Sequence, residues 1–348
     1  MNSTIHERPG VYSSYDASSV VSASAAAKTI GAAAVATKGT ANKVELITSY
    51  EEGKSVFGED ASGVYGMSTL LKFLFANGAG AVKAVAVGKD ESEEKDYASA
   101  FAALSDEEDV GVMVCDSAAQ SVHLLLKTAA EDASAARRER IAVIGGSEET
   151  VAQMVNRAKA VNSERVVLVG PDIASDDGGT MSAVFAAAAV AAVIAGNTDP
   201  SVPINGAELT LFGAAGKRLS DNEIDQLVRG GVTPIETVGG VSSPVRGITT
   251  RTSRELTTIL IVDEVIPTIR SALRTRFARS KNTAQSRGAI RSQVVLELEE
   301  MKSREIVDSY GEVLVSALKS DPTVCLVEFS FTVAHGLNRI YLTAHITV

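Results

Sequence analysis

The chain has 348 residues, 45% hydrophobic and 22% charged, with a net charge of −10, 5% aromatic residues and no Trp. That length and apolar content can bury the cores of two ordinary domains. The negative charge excludes a general nucleic-acid binder, which needs a cationic surface to displace counterions from phosphate. Cys115 and Cys325 lie far apart in apolar runs and read as buried free thiols rather than a disulfide framework. No basic segment followed by an apolar run opens the chain, so no secretory signal is expected. The longest apolar stretch, residues 181–196, falls short of the roughly 20 residues of a spanning helix. It reads as an alanine-rich core helix, without membrane insertion.

Residues 1–20 carry no helical period, and Pro9-Gly10 marks an extended or turning arm that needs something to hold it down. From residue 29 onward, short apolar runs alternate with helical segments. Strands are expected at 29–37, 82–87, 110–115, 141–144 and 165–169, and helices at 66–76, 93–104, 118–138 and 179–196. A further helix runs to residue 160, capped by Ser147 with Glu149 or Thr150 near its first turn. All-apolar strands separated by helices of this length indicate a doubly wound parallel sheet covered on both faces.

Beyond Asn197-Thr198-Asp199-Pro200 the character changes. Ser220 and Glu223 form a capping box for a helix over 219–229. Strand-like 248–252 follows, then helices over 262–279, 293–301 and 312–320, the first admitting Pro267 only in its first turn. The end is β: 324–333, a turn through His335-Gly336, and 339–348. In that last run Ile340, Leu342, Ala344, Ile346 and Val348 alternate with polar and aromatic residues. An alternating strand at a chain end is an edge that must be paired.

Residues that could carry chemistry have structural readings. Gly145-Gly146-Ser147 lacks the spacing of GxGxxG and the lysine of GxxxxGK[ST], so it is a tight strand–helix turn. Asp176-Asp177-Gly178-Gly179 has no ligand spacing and reads as a helix-entering loop. His6, His123, His335 and His345 never fall at metal-ligand spacing. Asp116, after a strand, could hold a ribose, but acids are common there. No catalytic, cofactor or metal residue is therefore assigned. One charge feature stands out. Between Arg246 and Arg291 ten basic residues face Glu255, Asp263 and Glu264, an excess of about seven that leaves about −17 on the remainder. It is either a solvated helix face or a stripe facing an acidic protein partner. On the helix, Arg270 and Arg274 project beside an apolar face of Ile266, Ile269, Leu273 and Phe277, and Arg279 falls away from it.

Six segments in order resemble the contractile tail sheath family. They are RPGVY; TIGAAAVATKGTANKVELITSYEEGKSVFGED; LLKFLFANGAGAVKAVAV; VFAAAAVAAVIAGNTDP; LSDNEIDQLVRGGVTPIE followed by VRGITTRT; and RIYLTAHITV. The segment SVPINGAEL lacks the Trp many members carry nearby. The resemblance implies an arm (residues 1–28) belonging to an inner domain, an inserted outer α/β domain (29–198), and an inner α+β domain (199–348). Terminal strands exchanged between subunits would use Pro9, Val11, Tyr12 and Val20 at one end and Ile340, Leu342, Ile346 and Val348 at the other. It also implies a helical homo-oligomer around an inner tail tube protein, with baseplate and tail terminator proteins as partners; the local charge excess then makes Arg270, Arg274 and Arg279 the residues expected to dock the tube. Contraction would drive the tube through a target envelope without a nucleotide. The subunit would assemble in the bacterial cytoplasm into a phage tail, an R-type bacteriocin or another injection particle. The alternative class is a doubly wound nucleotide- or small-molecule-binding enzyme with its site at the carboxyl ends of the middle strands.

Overall fold

The computed structural model describes residues 28–336, apart from 62, 89–92, 175–178, 212–217 and 252–254. The apolar runs become strands β1 (Thr29–Ala34), β2 (Val44–Ile47), β3 (Val82–Ala86), β4 (Val110–Cys115), β5 (Ile141–Gly145) and β6 (Val166–Gly170). A two-residue pair, β7 (Ile173–Ala174) and β8 (Thr180–Met181), follows, and then the hairpin β9 (Thr233–Val238) and β10 (Val241–Pro244). The main sheet has the order β10-β9-β6-β5-β4-β1-β3-β2. Its interior strands are parallel, and β2 and β10 close the two edges antiparallel.

Helices cover both faces, as the apolar strands require. One face carries α1 (Tyr50–Phe57), α2 (Met67–Ala76) and α6 (Ala183–Gly196). The other carries α3 (Glu93–Ser105), α4 (Gln120–Ala135), α5 (Val151–Val161) and α7 (Asp221–Arg229). In α6 every residue except Val193 and Gly196 is buried. Alanine lets this helix approach the sheet closely, and at its start contact is made backbone to backbone. A Cβ on Gly145 would stand 2.3 Å from the Ala183 carbonyl. Gly145 therefore serves helix–sheet packing. The α5 cap is Thr150, not Ser147: Thr150 and Gln153 form a reciprocal capping box. The Ser220–Glu223 box on α7 forms as expected.

The sheet does not stop at residue 198. β9 pairs with β6 through Thr233 and Pro234, and Gly239 and Gly240, both at positive φ, make the two-residue turn to β10. Residues 248–251 form no ladder strand. They clamp the start of β6, with the Thr250 amide donating to the Val166 carbonyl at 2.8 Å.

The remaining chain makes α8 (Leu256–Phe277), α9 (Ala284–Ser303), β11 (Val307–Tyr310), β12 (Leu314–Ala317), β13 (Cys325–Glu328) and β14 (Phe331–Val333). Pro267 lies inside α8, not in its first turn, because the helix begins at Leu256. Leu260 in the sheet core and Ile269 in a separate core anchor the helix on either side, which offsets the hydrogen bond the proline removes. The helix expected over 312–320 is instead β12, paired antiparallel with β13. Val313 and Val315 turn inward onto the α8–α9 core, and the following strand needed a partner. Cys325 is only half-buried, whereas Cys115 is buried; both are free thiols.

Gly145→Ala should cost about 2–3 kcal/mol, an overpacking against backbone that cannot give way. Urea denaturation checks this; an unchanged midpoint would mean that α6 can shift to admit a methyl group.

Candidate assembly surfaces

The α8–α9 pair supports one bent antiparallel hairpin. Its first limb is β11 then β12, and its second is β13 then β14, so the partners are β12 with β13 and β11 with β14. At the bend the Gly311 amide donates to the Ser330 carbonyl at 2.8 Å. Val327, Phe329, Phe331 and Val333 alternate onto the core of Val265, Ile269, Val294 and Leu298. Those inward residues of the hairpin are only half-buried, and Leu314 and Leu326 face outward. Among the described residues each strand has one partner, so both long edges carry unpaired backbone groups. Asn282, between α8 and α9, donates to the Pro322 and Val324 carbonyls and fixes the hairpin tip.

Several residues of the basic stretch find acids within the chain. Arg246 pairs with Glu255, Arg251 with Glu164 at 3.4 Å, and Arg291 with Glu312 at 3.6 Å. Arg270 pairs with Glu139 at 2.7 Å. Burial would raise the Glu139 carboxyl, but the Arg270 hydrogen bond and charge hold it below the ordinary carboxylate value. Arg165, at the head of β6, pairs with Asp263, whose side chain is 2% exposed. Burial keeps Asp263 above its usual value despite that partner. These pairs tie α8 to the amino-terminal end of the sheet. Of the three arginines expected to dock a partner, Arg270 is thus engaged within the chain. Arg274 and Arg279 are exposed.

The expected arm residues Pro9, Val11, Tyr12, Val20, Ile340, Leu342, Ile346 and Val348 lie outside the described residues. So do Asp176, Asp177, His6 and His345. The described chain ends at Gly336, against Pro203.

At the carboxyl ends of β1 and β4, where an enzyme of this topology would hold its ligand, the chain's own side chains occupy the crevice. Asp116 accepts from the Val35 amide at 2.9 Å and from the Tyr97 hydroxyl. Burial lifts its carboxyl to about 6 in spite of those bonds, and it pushes the Cys115 thiol up. Next to it His123 is fully buried, its Nε2 2.9 Å from the Ser117 carbonyl and its Nδ1 3.1 Å from Arg157. Burial, then the Arg157 charge, lowers His123 to about 4. Arg157 in turn pairs with Glu149 at 2.8 Å. Another arginine escaped the sequence reading: Arg140 is fully buried, donating to the Leu104 carbonyl at 3.0 Å and the Glu107 carbonyl at 2.7 Å. Among the described residues no group of three or more His, Cys, Asp or Glu could hold a metal, and no helix is long and apolar enough to cross a membrane.

Two family models match in succession: the phage tail sheath protein central domain over residues 90–250 and the phage tail sheath C-terminal domain over 249–347. A tail sheath protein of Bacillus phage SP01 is 28% identical over 221 residues, covering 60% of this chain and 38% of that protein. The fold resembles the helical sheath of the anti-feeding prophage in its contracted state, with a TM-score of 0.73 and 15% identity over 98% of this chain and 99% of that one. It also resembles the sheath tail protein of Desulfitobacterium hafniense, with a TM-score of 0.70 and 10% identity over 93% of this chain and 100% of that one.

The buried pair gives opposing pH dependences. Asp116, raised from 3.8 to about 6, binds its proton more tightly in the folded state, so it adds stability as pH falls from 6 towards 4. His123, lowered from 6.5 to about 4, binds its proton more tightly when unfolded, so it removes stability over nearly the same window. His123→Gln deletes the second effect. Relative to the wild type, the variant should gain about 2–3 kcal/mol between pH 7 and pH 4.5. Urea titrations of both proteins at the two pH values measure it; a pH-independent difference would mean His123 does not titrate as described.

Proposed function

This chain is a member of the phage tail sheath family, and on that premise we propose that it is the structural subunit of a contractile sheath. Copies polymerise around an inner tube and, on contraction, drive it through a target envelope. The carrying observation is the succession of central and C-terminal sheath domains over residues 90–347. The particle is a phage tail or phage-like device assembled in the bacterial cytoplasm, with tube, baseplate and terminator proteins as partners. Its work is mechanical rather than catalytic: a metastable extended lattice releases energy as subunits repack.

The sheet unit is taken as the outward domain inserted between the arm (residues 1–28) and an inner unit. The Lys28 amide donates to the Ala195 carbonyl at 2.9 Å, which sets the two ends of 29–198 side by side, as an insertion needs. β9 and β10 continue the sheet, so we take the inner unit to begin near residue 250, where the two family matches meet. The open edges of the bent hairpin suit strand addition by the terminal strands of neighbouring copies. Main-chain hydrogen bonds would then give continuity while alternate side chains set register.

Deleting residues 1–20 should leave a folded, soluble subunit by circular dichroism that forms no tubes in negative stain. Normal tubes from the truncated protein would remove the arm from assembly. The exposed end of α8 is proposed to dock the inner tube through Arg274 and Arg279, with Arg270 bracing the helix. Each exposed pair contributes on the order of 0–1 kcal/mol, and repetition along a tube makes the sum large. Arg274→Glu with Arg279→Glu should leave self-polymerisation intact and cut sheathed tubes at least about tenfold, with high salt weakening the wild-type association in the same direction. Sheathed tubes at normal frequency would return these arginines to a solvated face.

A further inference from the structure

The parallel sheet has oppositely charged clefts at its two ends. At the carboxyl ends of β5 and β6, between the starts of α5 and α7, lies a cleft of about 590 Å³. Its apolar surface comes from Val151, Met154, Pro171 and Leu219, and Glu148, Asp172 and Glu223 line it with acid. Asp172 is held there by the Glu148 and Ala183 amides, at 2.6 and 2.8 Å. At the amino-terminal end, the α4–β5 loop carries Arg137 and Arg138 beside a cleft of about 830 Å³ that Arg270 and Arg274 also line, with Glu108 the acid among them. Arg137 is exposed at the loop tip with φ 67°.

We propose that these surfaces bind each other between copies: the Arg137–Arg138 loop of one subunit seats in the acidic cleft of the next. The inference rests on the sheath-subunit reading, which supplies the second copy. An apolar surface with acidic groups suits arginine in particular, because the stem covers apolar area while the planar head takes carboxylates two bonds at a time. The two surfaces lie at opposite ends of the strands, so the contact is heterologous. One surface of each copy meets the other surface of its neighbour, and such contacts propagate a row or helix unless the rotation closes a ring. Glu148 and Glu223 also sit near the amino ends of α5 and α7, where negative charge is favoured.

The test uses the full-length protein and leaves α8 untouched, so failure of tube docking does not enter. One variant carries Arg137→Glu and Arg138→Glu, making both of its surfaces acidic. The other carries Glu148→Arg, Thr180→Arg and Gln226→Arg, exposed positions of the cleft whose new charges outnumber Asp172 and Glu223, making both of its surfaces basic. Each alone, folded by circular dichroism, should pellet about tenfold less polymer than the wild type at low salt. Mixed in equal amounts, the two should restore polymer, because every loop then meets a cleft of opposite sign. Polymer from either variant alone at the wild-type level would overturn the contact, as would a mixture no better than its components. No polymer from the wild type would overturn the sheath reading, and this contact with it.

Discussion

Helix α6 lies on the middle of the sheet with no polar face, and most of the architecture follows from how close it comes. Alanines along its length and Gly145 beneath its first turn let backbone meet backbone, and Ser182 caps the helix while donating to the Gly146 carbonyl at 2.7 Å. That approach seals one face of β4, β5 and β6 and so demands strands that are apolar on both sides. It also fixes where the chain leaves: the carboxyl end of α6 stands beside Lys28. A larger residue anywhere on this contact would push the helix out and open the core, because packed interiors do not deform continuously.

Helix α8 carries the second constraint. Leu256, Ile259 and Leu260 belong to the sheet core, whereas Ile261, Val265 and Ile269 belong to the core under the bent hairpin. One continuous helix therefore joins the two units, and the Arg165–Asp263 and Arg270–Glu139 pairs lock its angle against the sheet. A buried pair is weak support for stability in itself, but losing one partner strands a charge, so it penalises any other seating of the helix.

The crevice between β1 and β4 illustrates how a ligand-binding topology becomes structural. Asp116 stands where a ribose could be held, yet it accepts the Val35 amide and the Tyr97 hydroxyl, and the Thr150–Gln153 box engages the first turn of α5. With Asp116, the Val35 amide and the Tyr97 hydroxyl satisfied by one another, the crevice between β1 and β4 is a joint.

The sequence by itself determined the layered α/β unit and the family, because both are written in local patterns. Continuous apolar runs mark doubly covered strands, alanine marks the buried helix, and short motifs recur in order along the chain. It also identified the Ser220–Glu223 cap, a signal complete within four residues. The Gly239-Gly240 turn is written in the sequence as well, flanked by the β-branched Val238 and Val241, although Pro234 by itself argues against the strand before it. Only the tertiary structure decided the rest. Whether 312–320 is helix or strand depends on a partner a few residues downstream, and whether Pro267 begins or interrupts a helix depends on two cores that α8 joins. The charge excess of 246–291 was legible as composition, but its division was not. Arg246, Arg251 and Arg270 find acids within the chain while Arg274 and Arg279 face solvent, since pairing depends on which acids folding brings within reach, and Glu139 is far from Arg270 until the sheet forms.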